Sequence, residues 1–239
     1  YDAARGVVTR VARVAAHAEK CGVVVMVDAE QVALQPAIDR LTLDAMAAYN
    51  RARPVVLNTY QCYLRDALGR VQDDLERSRR RGFVFGAKVV RGAYVVQERR
   101  LAAAAGLPDP IQPNIEATHR SYHQVLDAIL AHKTQRKDGT AMMAATHNQT
   151  SIVFLLERLR SLGIPPVGSG IYFAQLLGMR DHLSFALGKE GFSVYKYVPY
   201  GPIREVMPYL LRRAEENSDM LTGAGAEVAM LWGELVRRL

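Results

Sequence analysis

Six short, continuously apolar runs punctuate this chain, and a longer helical pattern follows each one. The runs are VVVMVDAE at 23–30, PVVLNTY at 54–60, FVFGAKVVRGAY at 83–94, AMMAATHN at 141–148, IYFAQLL at 171–177 and VYKYVPYG at 194–201. Their length and β-branched content read as strands. Helical periodicity covers 3–20, 36–51, 62–80, 95–105, 114–133, 150–162, 179–188 and about 203–220. The strands do not alternate apolar with polar, which is the pattern of strands covered on both faces. A repeated strand–helix unit predicts a parallel sheet with right-handed crossovers, an α/β fold. No linker, repeat or low-complexity tract divides residues 1–239, so they read as a single domain, with Pro108, Pro110 and Pro113 marking one long loop.

Polar residues gather at the C-terminal ends of these strands. Asp28 and Glu30, Asn58 and Gln61, Arg91 and Tyr94, Thr146, His147 and Asn148, Gln175, and Tyr197 all stand there. Any one of them could be a turn former or a cap. Six successive strands ending this way point to a (β/α) barrel, whose sites are built at that rim. The alternative, an open doubly wound sheet, calls for a glycine-rich phosphate turn after its first strand, and here that turn reads DAEQ.

The last helical segment carries a second concentration of chemistry. Tyr209, Arg212, Arg213 and Glu216 share one broad helical face, because three- and four-residue spacings return to the same side. Adjacent arginines can converge on one carboxylate with charge-assisted, forked hydrogen bonds. Pro208, just before Tyr209, is expected to kink this helix or start it afresh.

Composition removes several function classes. The net charge is +7 and 49% of residues are hydrophobic. The main basic cluster, Arg77 and Arg79–Arg81 beside Glu76, ends a helical pattern and reads as a solvated helix end, where cations suit the dipole. No nucleic-acid module is present. There is no apolar run long enough for a membrane span. Cys21 and Cys62 form no CxxC pair, and two free thiols fit a reducing compartment. His119 and His123 are spaced i, i+4, but their polar flanks read as plain helix surface, and no metal site is expected.

Taken as a set, VDAEQ (27–31), NTYQ (58–61), KVVRGAY (88–94), ATHN (145–148), YKYVPYG (195–201) and YLLRRAEEN (209–217) resemble the proline dehydrogenase family, in the family's order and over nearly the whole chain. The resemblance implies a distorted (β/α)8 TIM-like barrel that binds FAD, oxidises L-proline to pyrroline-5-carboxylate and passes electrons to a quinone. It implies that Arg212 and Arg213 clamp the proline carboxylate, that Glu216 holds an arginine in place, and that Asp28 orients Arg213. Tyr94, Tyr197 and Tyr209 would wall the pocket, and Leu177 (or Leu176) would touch the proline ring. On the cofactor side it implies Lys88 near the reactive flavin nitrogen, Asn58 at the pyrimidine edge, close backbone approach at Gly92 and Ala93, and further contacts from Val90, Tyr94, Thr146, His147 and Gln175. Asp28, Lys88 and Tyr197 would carry the catalytic roles. A cation near the ring tunes its electronics.

The family's first barrel strand, with its substrate-facing lysine, has no match upstream of residue 20, so the chain reads as a fragment of a longer one. The paralogous hydroxyproline dehydrogenases tend to carry serine where Tyr197 stands, which implies proline over hydroxyproline here. The tags resemble the eukaryotic monofunctional branch. That implies a mitochondrial matrix location at the inner membrane, or a cytoplasmic or peripheral-membrane one for a bacterial source. A reading from a different class is a catalytically silent barrel acting as an interaction module.

Overall fold

The computed structural model describes the backbone of residues 2–218, 228, 232–233 and 235–238, and the side chains of 5–211 and of those later positions. The elements run α1 (Asp2–Cys21), β1 (Val25–Val27), α2 (Gln35–Tyr49), β2 (Val56–Gln61), α3 (Ala67–Arg81), β3 (Gly86–Val90), α4 (Val95–Ala104) and α5 (Ile115–Arg136). They continue with β4 (Ala141–Ala145), α6 (Gln149–Ser161), β5 (Ile171–Leu176), α7 (Asp181–Lys189), β6 (Ser193–Tyr197) and α8 (Ile203–Ser218). Every expected strand and helix is present. Strands β1, β3 and β4 stop short of their polar tags, which fall in the connecting turns, whereas Asn58, Gln61, Gln175 and Tyr197 lie within β2, β5 and β6. After β4, Asn148 caps α6, its side chain accepting from the Ser151 N–H. The third helix starts at Ala67 rather than 62, because Cys62 and Tyr63 still donate to the carbonyls of Val90 and Arg91. Helix α8 continues through Pro208 without restarting.

All six strands are parallel and pair in the order β1-β2-β3-β4-β5-β6. Each crossover therefore steps in the same direction. Right-handed crossovers that never reverse put every connecting helix on one face, whereas a doubly wound sheet must reverse midway. The sheet is a curled part of a distorted (β/α) barrel, with helices outside and a concave face inside.

Side-chain alternation sorts each strand between these faces. One row, Val27–Asn58–Ala87–Met142–Ile171, faces the helices. Together with Tyr60, Phe85, Val89 and Phe173, residues of this row pack against Leu75 of α3, Leu126 and Ile129 of α5, and Leu155 of α6. The adjacent row, Thr59–Lys88–Met143–Tyr172–Ser193, faces the concavity.

At the opposite end of the sheet from the polar tags, Asn50 fastens two strands. Its amide donates to the Val56 and Val84 carbonyls at 2.8 and 3.0 Å, and its oxygen accepts from the Val55 and Val56 N–H groups at 2.8 Å each. Asn50 is fully buried, and Val55, Val56 and Val84 are buried with it.

Candidate active site

The concave face carries an ion pair at its centre. Lys88 of β3 reaches across Thr59 to Asp28 just past β1; the lysine side chain is 16% exposed and the aspartate 63%. Thr59, between them in register, is buried, and its hydroxyl lacks a partner among the described residues. Val90 lies one row further along the same face, beside Gln61.

The turn after β1 is held from three directions. The Glu30 N–H donates to Gln35 Oε1 at 2.8 Å, and its carbonyl accepts from Gln61 Nε2 at 2.9 Å. The Tyr94 hydroxyl donates to Glu30 Oε2 at 2.8 Å, which fixes the tyrosine over the strand ends. The buried Glu98 of α4 accepts from the Val32 N–H at 2.8 Å and ties the next residues of that turn to the far side of the rim.

Gly92 follows β3 with φ +139°, and an added Cβ would lie 2.2 Å from Tyr63 Cδ1. An added side chain there would collide with the buried Tyr63 ring, so this position requires glycine. Ala93 lies in the same turn, before α4.

At the end of β4, Thr146 Oγ1 accepts from Arg91 Nη1 at 2.7 Å and from the Asn148 N–H at 3.0 Å. His147 Nε2 accepts from the Leu176 N–H at 2.9 Å. Arg91 also donates from Nε to His119 Nδ1 at 3.0 Å and from Nη2 to Ser151 Oγ at 2.8 Å, and its Cζ stands 4.5 Å from the Tyr122 ring centre. Burial pulls the Arg91 pKa below its ordinary value. His119 and His123 are lowered too, by burial first and by the charge of Arg91 second.

Two expected cofactor contacts lie elsewhere. Asn58 sits in the helix-facing row, fully buried, and its amide donates to Asp39 of α2 at 2.9 Å; register sends Thr59, not Asn58, to the concave side. Gln175 also ends a helix-facing series. It is 2% exposed, accepts from Ser184 at 2.8 Å, and its amide reaches the Thr146 carbonyl at 3.4 Å, so it buttresses Thr146 from behind.

His119 and His123 are not plain helix surface either. His123 stacks on Phe154 with ring centres 4.1 Å apart and bonds Ser151, and His119 accepts from Arg91. The signal missed in the sequence is the arginine inside KVVRGAY, which gathers both. No metal-holding group of histidine, cysteine or acidic residues occurs among the described residues. The basic end of α3 is largely exposed, as expected of a solvated helix end, and its arginines pair there, Arg77 with Asp74, Arg79 and Arg80 with Glu76, and Arg81 with Asp44.

The remaining wall comes from β6 and α8. The Tyr197 and Tyr209 rings pack with centres 5.3 Å apart. Leu176 pairs with Tyr197 in register, and Leu177 donates its N–H to the Tyr197 carbonyl at 3.1 Å while its side chain is 61% exposed. Arg212, Arg213 and Glu216 lie in the next turns of α8, but their side chains fall outside the described residues. Asp28, expected to orient Arg213, meets Lys88 within the described part. No described helix is long and apolar enough to cross a membrane.

Comparison with known proteins agrees with this geometry. The chain is 51% identical over 222 residues to proline dehydrogenase 1, mitochondrial, of Homo sapiens, covering 93% of this chain and 37% of that protein. It is 44% identical to the Drosophila melanogaster protein of the same name (98% and 35% covered) and 43% identical to Homo sapiens hydroxyproline dehydrogenase (98% and 52% covered). The chain thus spans between about a third and a half of the length of these curated relatives. Among solved structures, proline utilization A from Bdellovibrio bacteriovorus, inactivated by N-propargylglycine, superposes with a TM-score of 0.81 at 24% identity, over 90% of this chain and 22% of that one. A variant of the Bradyrhizobium japonicum protein of that name gives 0.72 at 26% identity, over 88% and 21%. The model of the proline dehydrogenase family matches residues 3–223, from α1 past the end of α8, and so takes in every strand-end tag described above: the chain belongs to the proline dehydrogenase family.

Proposed function

We propose that this chain carries the oxidising centre of an FAD-dependent dehydrogenase that converts L-proline to pyrroline-5-carboxylate and delivers the two electrons to a quinone. The observation that carries the reading is the packing of Tyr209 on Tyr197. It anchors α8 against the strand ends, so the turn with Arg212 and Arg213 starts at the rim of the concave face. Proline is a small zwitterion, and a site for it must fix the carboxylate and keep the ring in apolar contact. Each hydrogen bond from an arginine to that carboxylate contributes about 1.5–3 kcal/mol. Loss of one arginine is therefore expected to cost on the order of 10- to 100-fold in substrate use.

The donor set suits FAD. Lys88 supplies a cation on the concave face, and the Thr146 hydroxyl and the His147 ring stand at the neighbouring strand end. These residues, with Val90 and Tyr94, would hold a ligand rich in acceptor oxygens and negative charge. When bound, the flavin supplies the hydride-accepting chemistry. The role of Lys88 is to put positive charge beside the ring that gains electrons, and Asp28 holds that ammonium in place. The tyrosine wall excludes water and orients the carbon next to the proline nitrogen. Tyr197 leaves less room than serine for a ring hydroxyl, which favours proline over hydroxyproline. The relatives named mitochondrial support a mitochondrial location, and quinone reduction calls for peripheral contact with the inner membrane.

The test is optical. Purified protein should be yellow, and anaerobic proline should bleach the flavin band faster than hydroxyproline does. Colourless protein that FAD cannot reconstitute would support a catalytically silent interaction module instead.

A further inference from the structure

We propose that Arg91 and its partners form a proton-operated latch, which holds the 146–151 segment to the end of β3 while His119 and His123 are neutral and lets that segment open when they take up protons. An arginine can only donate, so the Arg91 Nε–H, with its nitrogen 3.0 Å from His119 Nδ1, requires a lone pair on that ring nitrogen. Ser151 Oγ accepts from Arg91 Nη2 at 2.8 Å, which leaves the serine proton for His123 Nε2, also 2.8 Å away. With both rings neutral, each of these bonds has one donor and one acceptor. A proton on His119 Nδ1 removes the acceptor that Arg91 faces. A proton on His123 Nε2 turns its bond around and leaves the hydroxyl proton of the buried Ser151 without an acceptor.

The latch ties together the turn after β3, helix α5 and the start of α6. Arg91 donates to the first and last residues of the segment, Thr146 and Ser151. Between them, Asn148 donates its N–H to Thr146 Oγ1 at 3.0 Å, and its side chain accepts from the Ser151 N–H at 2.9 Å. All three side-chain acceptors of Arg91 are uncharged in this state, and no carboxylate pairs with it among the described residues. A second positive charge beside a desolvated one is unfavourable. The charged groups that act on the two rings are Arg91, and Glu116 and Asp127 on their own helix. Asp127 is already engaged by Arg158 of α6 at 2.7 Å, and α3 directs no charged group at either ring. Tyr122 and Cys62 face the guanidinium, and burial pushes both up, so neither supplies a negative charge. Protonation thus sets two further cations against Arg91, and withdrawal of the guanidinium frees both ends of the segment. Burial first and Arg91 second hold both rings below their ordinary value of 6.5. The latch is therefore closed above about pH 6.5 and opens as pH falls through the folded-state values.

The test is residue-resolved hydrogen exchange on the purified protein, compared at about pH 7.5 and about pH 5.5 after correction for the intrinsic change in exchange rate. The Asn148 and Ser151 N–H groups report on the segment, and the amides of β2 report on the sheet. Protection of the two reporters should fall by about tenfold or more at the lower pH while β2 stays protected. The His119→Gln/His123→Gln variant, whose amide oxygens still accept from Arg91 and Ser151, should keep its protection at both pH values. An equal loss in that variant overturns the proposal, as does undiminished protection in the wild type. A parallel loss in β2 is global unfolding and overturns it too. If the double variant does not fold, imidazole nitrogen NMR of the wild type decides. Protection should fall over the pH interval in which His119 Nδ1 gains its proton, and a loss while both rings are still neutral overturns the latch.

Discussion

Replacing Gly92 with alanine puts a methyl group where the Tyr63 ring already is. The new Cβ would sit 2.2 Å from Tyr63 Cδ1 and 2.4 Å from Cε1, at a backbone φ of +139°. Two costs follow. Holding a side-chain-bearing residue in that conformation costs about 1–3 kcal/mol. Forcing apart a packed ring, only 2% exposed, costs about 1–3 kcal/mol more. Gly92→Ala is therefore expected to lose about 2–6 kcal/mol, or about 4–24 °C of melting temperature at about 2–4 °C per kcal/mol. The two parts separate in a Tyr63→Ala background. That change costs stability through the cavity it leaves, but it clears the space, so adding Gly92→Ala should then cost only the backbone share. Guanidinium unfolding of the wild type, both single variants and the double variant gives the coupling, expected at about 1–3 kcal/mol. Additive losses, within about 0.5 kcal/mol, would refute the argument that this glycine exists for the tyrosine. So would a Tyr63→Ala/Gly92→Ala protein that folds well and yet has lost FAD, since the methyl group would then be colliding with the ligand.

Tyr197→Ser should raise the ratio of hydroxyproline to proline turnover by at least about tenfold, the scale set by a few missing or added groups in a pocket; unchanged steady-state selectivity would sink the idea. Asp28→Asn should cost less than about 1 kcal/mol in unfolding experiments, because the aspartate of the ion pair is largely exposed. Lys88→Met should instead move the flavin midpoint potential to more negative values, and an unmoved potential would place the lysine away from the ring. His119 and His123 titrate below their ordinary value of 6.5, so as pH falls the unfolded chain binds their protons first. The stability they contribute is complete above about 6.5 and is lost as pH falls through their folded-state values. His119→Gln, whose amide oxygen can still accept from Arg91, should therefore show a shallower fall in unfolding midpoint between about pH 7 and pH 5 than the wild type. Asn50→Ala should cost about 3–5 kcal/mol, since it strips partners from the Val55 and Val56 N–H groups and the Val84 carbonyl in the interior.

The strand–helix rhythm was legible because each apolar run is short, β-branched and followed by a polar tag. The rim was legible for the same reason: Lys88, Asp28, Tyr94 and Thr146 stand where the tags indicate. What the tags could not reveal is which way a residue faces. Asn58 and Thr59 are neighbours, and only the register of β2 against β3 sends one to the helices and the other to the concavity. His119 and His123 looked solvent-facing because their flanks are polar, yet a cation 28 residues upstream, counted from Arg91 to His119, draws them inward. Nor could they reveal that the space beside Gly92 is taken by the Tyr63 ring, which follows the end of the preceding strand.

Asn50 gives the sheet something a ladder of backbone bonds lacks. Parallel strands offer the same repeating pattern at every second residue, so nothing in the ladder alone forbids two strands from locking one step out of phase during folding. A slip of one residue in β2 or β3 would turn Asn58 into the concavity, or bury the Lys88 ammonium among the helices in place of Ala87. By gripping Val56 on one strand and Val84 just before the next, Asn50 ties both to a single reference point. A mis-phased assembly leaves that amide with empty bonds in the buried interior and is disfavoured on the way to the native state. A residue at the opposite end of the sheet from the chemistry thus acts as its proofreader.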